Sequence, residues 1–142
     1  MNYSGSTNSN SVLKDTTLLV VRVFIGFAML SHGFPKLQML LDGKTDFFNF
    51  LGLGPQISLG LTVFAEFVCS ILLILGLFSR VALGFLIFTM IIAGFVVHGT
   101  DPFEKQEMSL IYLSVYLMLM VFGVGKISVD YMIEKRKRAN DW

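Results

Sequence analysis

Charge is scarce in this chain. Of 142 residues only 15% are Asp, Glu, Lys or Arg, against 54% hydrophobic, and the mean hydropathy is +0.71. A soluble domain of this size carries nearer a quarter charged residues, so the composition points to a small integral membrane protein. Cysteine is scarcer still. Cys69 stands alone, which excludes an intramolecular disulfide, a CxxC redox pair and a multi-cysteine metal site within one chain; the residue itself reads as a small buried apolar group. A formal net charge of +1, with no basic stripe outside the C-terminal tail, offers no nucleic-acid-binding face. There is no glycine-rich nucleotide loop and no histidine pair at bundle spacing, so neither haem nor a metal site is expected.

Long apolar runs are what the chain does have. The most informative is Ile57 to Phe78, 22 residues interrupted by one ionisable side chain, Glu66. At about 1.5 Å per residue it is roughly 33 Å long, enough to cross the hydrocarbon core of a bilayer. A carboxylate there costs about 2.5 to 3.5 kcal/mol on insertion scales, so it is expected to face the bundle interior and meet a partner, either near Tyr116 on the fourth helix or at Arg22 on the first. Thr62, Glu66, Cys69 and Ser70 share one helical face.

Three further runs flank it. Leu18 to Phe34 predicts a first helix, capped by Asp15 or Thr16 and kinked or ended at Pro35. Val81 to Val97 and Met108 to Val124 carry no charge and predict the third and fourth. The fold class is therefore an all-α membrane protein, a four-transmembrane-helix bundle with helices near 16–34, 57–78, 80–98 and 107–125. Between helices 1 and 2 lies a short segment whose Phe47, Phe48 and Phe50 should rest in the membrane interface. Residues 1–15, Ser/Asn/Gly-rich and without the basic stretch or cleavage site of a secretory signal, are expected to be a disordered cytoplasmic tail. Residues 128–142, with Lys135-Arg136-Lys137-Arg138, are expected to be a basic cytoplasmic tail attracted to anionic lipid. Four spans put both termini on one side with Lys14, Arg22, Arg80, Lys126 and the four tail cations, against Lys36, Lys44 and Lys105 opposite. Eight against three places both termini in the cytoplasm.

Depth along the helices groups the polar side chains. Glu66 lies roughly 13 Å, and Tyr116 roughly 12 Å, below the outer ends of their helices at about 1.5 Å per residue. Tyr112 sits one turn above Tyr116, while His32, Lys36, His98 and Glu107 fall near the outer ends. The expected result is a polar funnel with an outer mouth of His32, Lys36, His98 and Glu107, narrowing to Tyr112, Tyr116 and Glu66, with Arg22 deeper. Each member also has a plainer role: histidines as interfacial hydrogen-bonding groups, tyrosines as belt residues, Arg22 snorkelling to the inner surface. An echo of Arg22-Val23-Phe24-Ile25-Gly26-Phe27 in Arg80-Val81-Ala82-Leu83-Gly84-Phe85 suggests a duplicated hairpin.

The combination resembles the DoxX family of small bacterial membrane proteins. It is carried by Arg22 with Gly26, His32-Gly33 and Lys36, by Glu66 followed by Leu-Leu-Ile-Leu-Gly-Leu-Phe-Ser-Arg ending at Arg80, by His98, and by Gly123-Val124-Gly125-Lys126-Ile127-Ser128-Val129-Asp130. Relatives often show Gly-Pro-Gly-Lys where this chain has Val124. The resemblance implies a four-helix membrane protein in a family named after an archaeal thiosulfate:quinone oxidoreductase, with some members associated with detoxification or oxidative-stress complexes. The leading expectation is a quinone-linked oxidoreductase subunit, with Glu66, His32 and His98 in catalytic roles, Tyr112, Tyr116 and Arg22 holding an external quinone, and a soluble or membrane redox partner. Membrane lipid and a second copy of the chain are the other expected partners. The alternatives are a non-enzymatic membrane adaptor for a stress or detoxification complex and a small proton-coupled transporter.

Overall fold

The computed structural model describes residues 4–44 and 46–140, which form five helices. These are α1 (Ser4–Leu41), α2 (Pro55–Leu75), α3 (Ser79–Val97), α4 (Phe103–Phe122) and α5 (Val129–Asn140). No strand occurs among the described residues. Three of them, α1 from Ser9 onward, α2 and α3, are long and apolar enough to cross a membrane. The fourth has 20 residues but opens on Glu104-Lys105-Gln106-Glu107, and this polar first turn shortens its apolar stretch.

Several ends differ from the sequence expectation. The N-terminal segment is helical from Ser4 instead of disordered to residue 15, and residues 1–3 lie outside the described part. Once the apolar helix behind it has formed, each added residue contributes a hydrogen bond without a new nucleation cost, so even Ser and Asn can extend it. Pro35 neither ends nor breaks α1: it lacks one ladder N–H, while the helix continues to Leu41. The stop is Gly43, whose φ of +66° lets Lys44 N–H reach the Met39 carbonyl at 3.0 Å and Gly43 N–H reach that of Leu40 at 3.2 Å. Gly76 closes α2 in the same way at φ +69°, so that helix ends at Leu75 instead of Phe78. The basic tail is helical too, as α5, with Ser128 Oγ accepting the Tyr131 N–H at its start.

Packing follows the glycines on α1. A Cβ on Gly33 would lie 2.8 Å from the carbonyl carbon of Glu66 and 2.9 Å from the N of Phe67, and one on Gly26 would run into Ile74. Their bare surfaces let α1 and α2 approach backbone to backbone. Helices α3 and α4 pack along each other and α2 packs against α3. The shared core contains Met29, Cys69, Leu73, Leu83, Leu86 and Leu119, together with Tyr112 and Tyr116.

Candidate functional site: a cleft over a buried ion pair

Glu66 sits in a stretch of π-helix, Phe64–Val68, within α2. The extra residue in that turn widens the helix locally, a distortion that recurs at functional sites. Gly33 brings α1 onto this turn, and three residues later Lys36 reaches across. Its Nζ lies 2.6 Å from both carboxylate oxygens of Glu66, whose side chain is 4% exposed against 29% for Lys36. The partner of the membrane carboxylate is therefore Lys36, not Tyr116 or Arg22. Spacing alone misled here because α1 continues past Pro35, which lowers Lys36 from the outer rim to the level of Glu66.

Above the pair is a cleft of about 350 Å³. A second π-helical stretch, Ile92–Val97, forms its far wall on α3, so both distorted turns border the same space. Phe47, Phe48 and Phe50 line it from the loop, and Phe50 meets Phe88 edge-on with centroids 6.1 Å apart. Ser58 ties that loop down: its hydroxyl accepts the Phe50 N–H at 2.9 Å and donates to the Gly54 carbonyl at 2.8 Å.

At the rim stands His98, its Nδ1 2.8 Å from Asp101 Oδ2. An ionised carboxylate only accepts, so Nδ1 carries the proton and Nε2 is left for exchange. The hydrogen bond from His98, with the charge of Lys105 and only partly opposed by desolvation, holds the Asp101 carboxyl below its usual range. Gln106 Nε2 braces the turn by donating to the carbonyls of His98 and Asp101 at 2.9 and 3.1 Å. Asp101 and Gln106 escape a search by depth because both lie in a loop or in the first turn of a helix.

The remaining expected site residues separate. Tyr112 and Tyr116 are buried side by side, with centroids 6.0 Å apart, and the Tyr116 hydroxyl has no hydrogen-bond partner among the described residues. His32 is exposed and sits edge-on to Tyr112 at 5.7 Å, while Glu107 is exposed and does not line the cleft. Arg22 belongs to the opposite end of the molecule. It is 2% exposed, and its Nη1 and Nη2 donate to the carbonyls of Val124 and Ile127, each at 2.9 Å. Gly76 stacks on that guanidinium: a Cβ there would lie 2.6 Å from Nη1. Arg22 neither snorkels nor pairs with Glu66; it ties the segment after α4 to α1, packed against the turn at Gly76.

Asp130 completes that knot. Its carboxylate accepts the N–H groups of Phe78 and Ser79 at 2.8 Å each, and its own N–H donates to the Gly76 carbonyl at 2.8 Å. Phe78 needs this support, because its φ of +48° lies in the left-handed region, which costs a non-glycine residue roughly 1 to 2 kcal/mol. Burial pushes the Asp130 carboxyl up, but the hydrogen bonds from Ser79 and Phe78 and the nearby Arg22 charge outweigh it and hold the group below its ordinary value.

Apolar helices of spanning length packed about a buried glutamate that pairs with a half-buried lysine define a multi-pass helical membrane protein. The chain belongs to the DoxX family, whose family model matches residues 17–99. That stretch includes Arg22, His32, Lys36, Glu66, Arg80 and His98, and leaves α4 and the Gly123 to Asp130 segment outside. No curated protein and no solved structure matches the chain.

Proposed function

We propose that this is a quinone-linked oxidoreductase subunit of the bacterial inner membrane, whose cleft takes the ring of an apolar dicarbonyl such as a quinone. The reading is carried by the Lys36–Glu66 pair at the floor of an aromatic cleft. An ammonium has three donors; the two carboxylate oxygens of Glu66 engage two, which leaves one for a ligand carbonyl. The space is within the ordinary range for small-molecule sites, about 300 to 1,000 Å³, and rings such as Phe50 and Phe88 suit a flat apolar ligand. When bound, such a ring supplies a two-electron, two-proton couple, with electrons delivered by a redox partner. Glu66 holds Lys36 in place, and His98 exchanges protons at Nε2 on the rim.

In this reading α1 to α4 all span the membrane, both termini are cytoplasmic and the cleft opens outward. Mass spectrometry of the molecules that co-extract with the gently purified protein tests it. Bound quinone is expected, with loss from a variant lacking both Lys36 and Glu66. A stable protein partner without quinone would support the adaptor, and solute flux in liposomes without either would support the transporter; both overturn the oxidoreductase reading.

A further inference from the structure

The end of the molecule opposite the aromatic cleft holds a larger cavity, about 580 Å³, between the start of α3, the Gly123 to Ser128 segment, α1 and the first turns of α5. Its charged groups divide into two sets. The acids are engaged: Asp15 accepts the Lys126 N–H at 3.1 Å, Asp130 caps Phe78 and Ser79, and Glu134 pairs with Arg138. The cations are different. Lys14, Arg80 and Lys126 line the cavity, all three are exposed, and none forms an ion pair among the described residues.

The rest of the wall is apolar. Leu18, Leu83 and Leu119 form its inner part, and Phe78 and Phe122, 65% and 61% exposed, stand at its edge. Two helices of spanning length meet here, α2 ending at Leu75 and α3 starting at Ser79, so the cavity lies at the boundary between acyl chains and headgroups. Of the lining acids, Asp130 has the Arg22 charge nearby and Glu134 has Arg138, so three cations face one remaining carboxylate, Asp15, above an apolar slot; that surplus matches one ligand chemistry, an anionic phosphate on a hydrocarbon chain. Basic pockets between membrane helices bind lipid headgroups in this way.

We propose that this cavity is a specific site for an anionic phospholipid, with the phosphate held by Lys14, Arg80 and Lys126, and an acyl chain running past Phe78 and Phe122. The site is distinct from the diffuse attraction of the Lys135-Arg136-Lys137-Arg138 run, which is exposed on α5 and lies outside the cavity. It also stands independently of what occupies the aromatic cleft.

Protein in an uncharged detergent, titrated with phosphatidylglycerol or phosphatidylcholine and followed by native mass spectrometry and thermal melting, provides the test. Phosphatidylglycerol should remain as a discrete adduct and raise the melting temperature, and phosphatidylcholine should do neither. The Lys14→Gln/Arg80→Gln/Lys126→Gln variant changes only exposed side chains, and should keep its helical circular dichroism while losing at least tenfold in affinity. Neutralising residues 135 to 138 should leave the discrete adduct in place. Equal retention of the two lipids, unchanged binding by the triple variant, or loss only in the tail variant would overturn the site. Stabilisation by inorganic phosphate equal to that by the lipid would reduce it to an anion site and contradict the assignment to phospholipid.

Discussion

Lys36 and Glu66 form a pair of unequal exposure, and that asymmetry sets what mutations should do. Removing Lys36 alone, as Lys36→Met, strands a carboxylate that is 4% exposed. Breaking a buried pair from one side costs roughly 3 to 5 kcal/mol, and the residual exposure of Lys36 argues for the lower end, about 3. Replacing both partners, as Lys36→Met/Glu66→Leu, removes the desolvation cost with the attraction and should return stability to within about 1 kcal/mol of wild type. A double-mutant cycle on detergent-solubilised protein measures this; additive losses would show that the two side chains do not stabilise each other. Asp130 gives a second prediction. Asp130→Ala removes the acceptor for two turn N–H groups and should cost about 1 to 2 kcal/mol, as lost helix caps do. Because the folded pKa of Asp130 lies below its ordinary 3.8, its contribution is complete above that value and lost as the pH falls through the depressed one. Wild type should therefore lose more melting temperature than Asp130→Asn between pH 7 and pH 3, and parallel losses would contradict the sign.

At the scale of elements, the widened turn at Glu66 and the glycine opposite it act together. Gly33 lies against the backbone of Glu66 and Phe67, which cannot move aside as a flexible side chain could. Gly33→Ala should cost about 1 to 3 kcal/mol and push α1 off the turn that carries Glu66. A distance measured by spin labels on the outer ends of α1 and α2 should lengthen; an unchanged distance with unchanged stability would mean that the contact is loose. Much of this level was legible beforehand. Apolar runs marked the membrane helices, and the cost of a carboxylate in lipid foretold that Glu66 would be buried with a partner. The partner's identity was not legible, because proline normally argues for a helix end and here α1 runs on, which changes the depth of Lys36. Nor was the role of Arg22, since its ligands are backbone carbonyls of Val124 and Ile127, about a hundred residues away, and carbonyls leave no trace in residue type. The π-helical turns likewise have no compositional signature.

For the molecule as a whole, two polar centres sit at opposite ends of an apolar bundle. One is a knot of Arg22, Asp130 and the turn at Gly76 that fixes how the helices meet; the other is a cleft whose floor carries the Lys36–Glu66 pair. The proposed orientation places the knot in the cytoplasm. A reporter active only outside the cell should be silent when fused to the C-terminus and active when inserted at Gly43, and the reverse pattern would turn the cleft toward the cytoplasm. The central claim is that the cleft binds a quinone through Lys36 and Glu66, and equilibrium titration of the purified protein with a short-chain quinone tests it most directly. Saturable binding is expected for the wild type, with at least a tenfold loss for the folded Lys36→Met/Glu66→Leu variant and none for the Lys14→Gln/Arg80→Gln/Lys126→Gln variant; equal binding by all three proteins would contradict the claim.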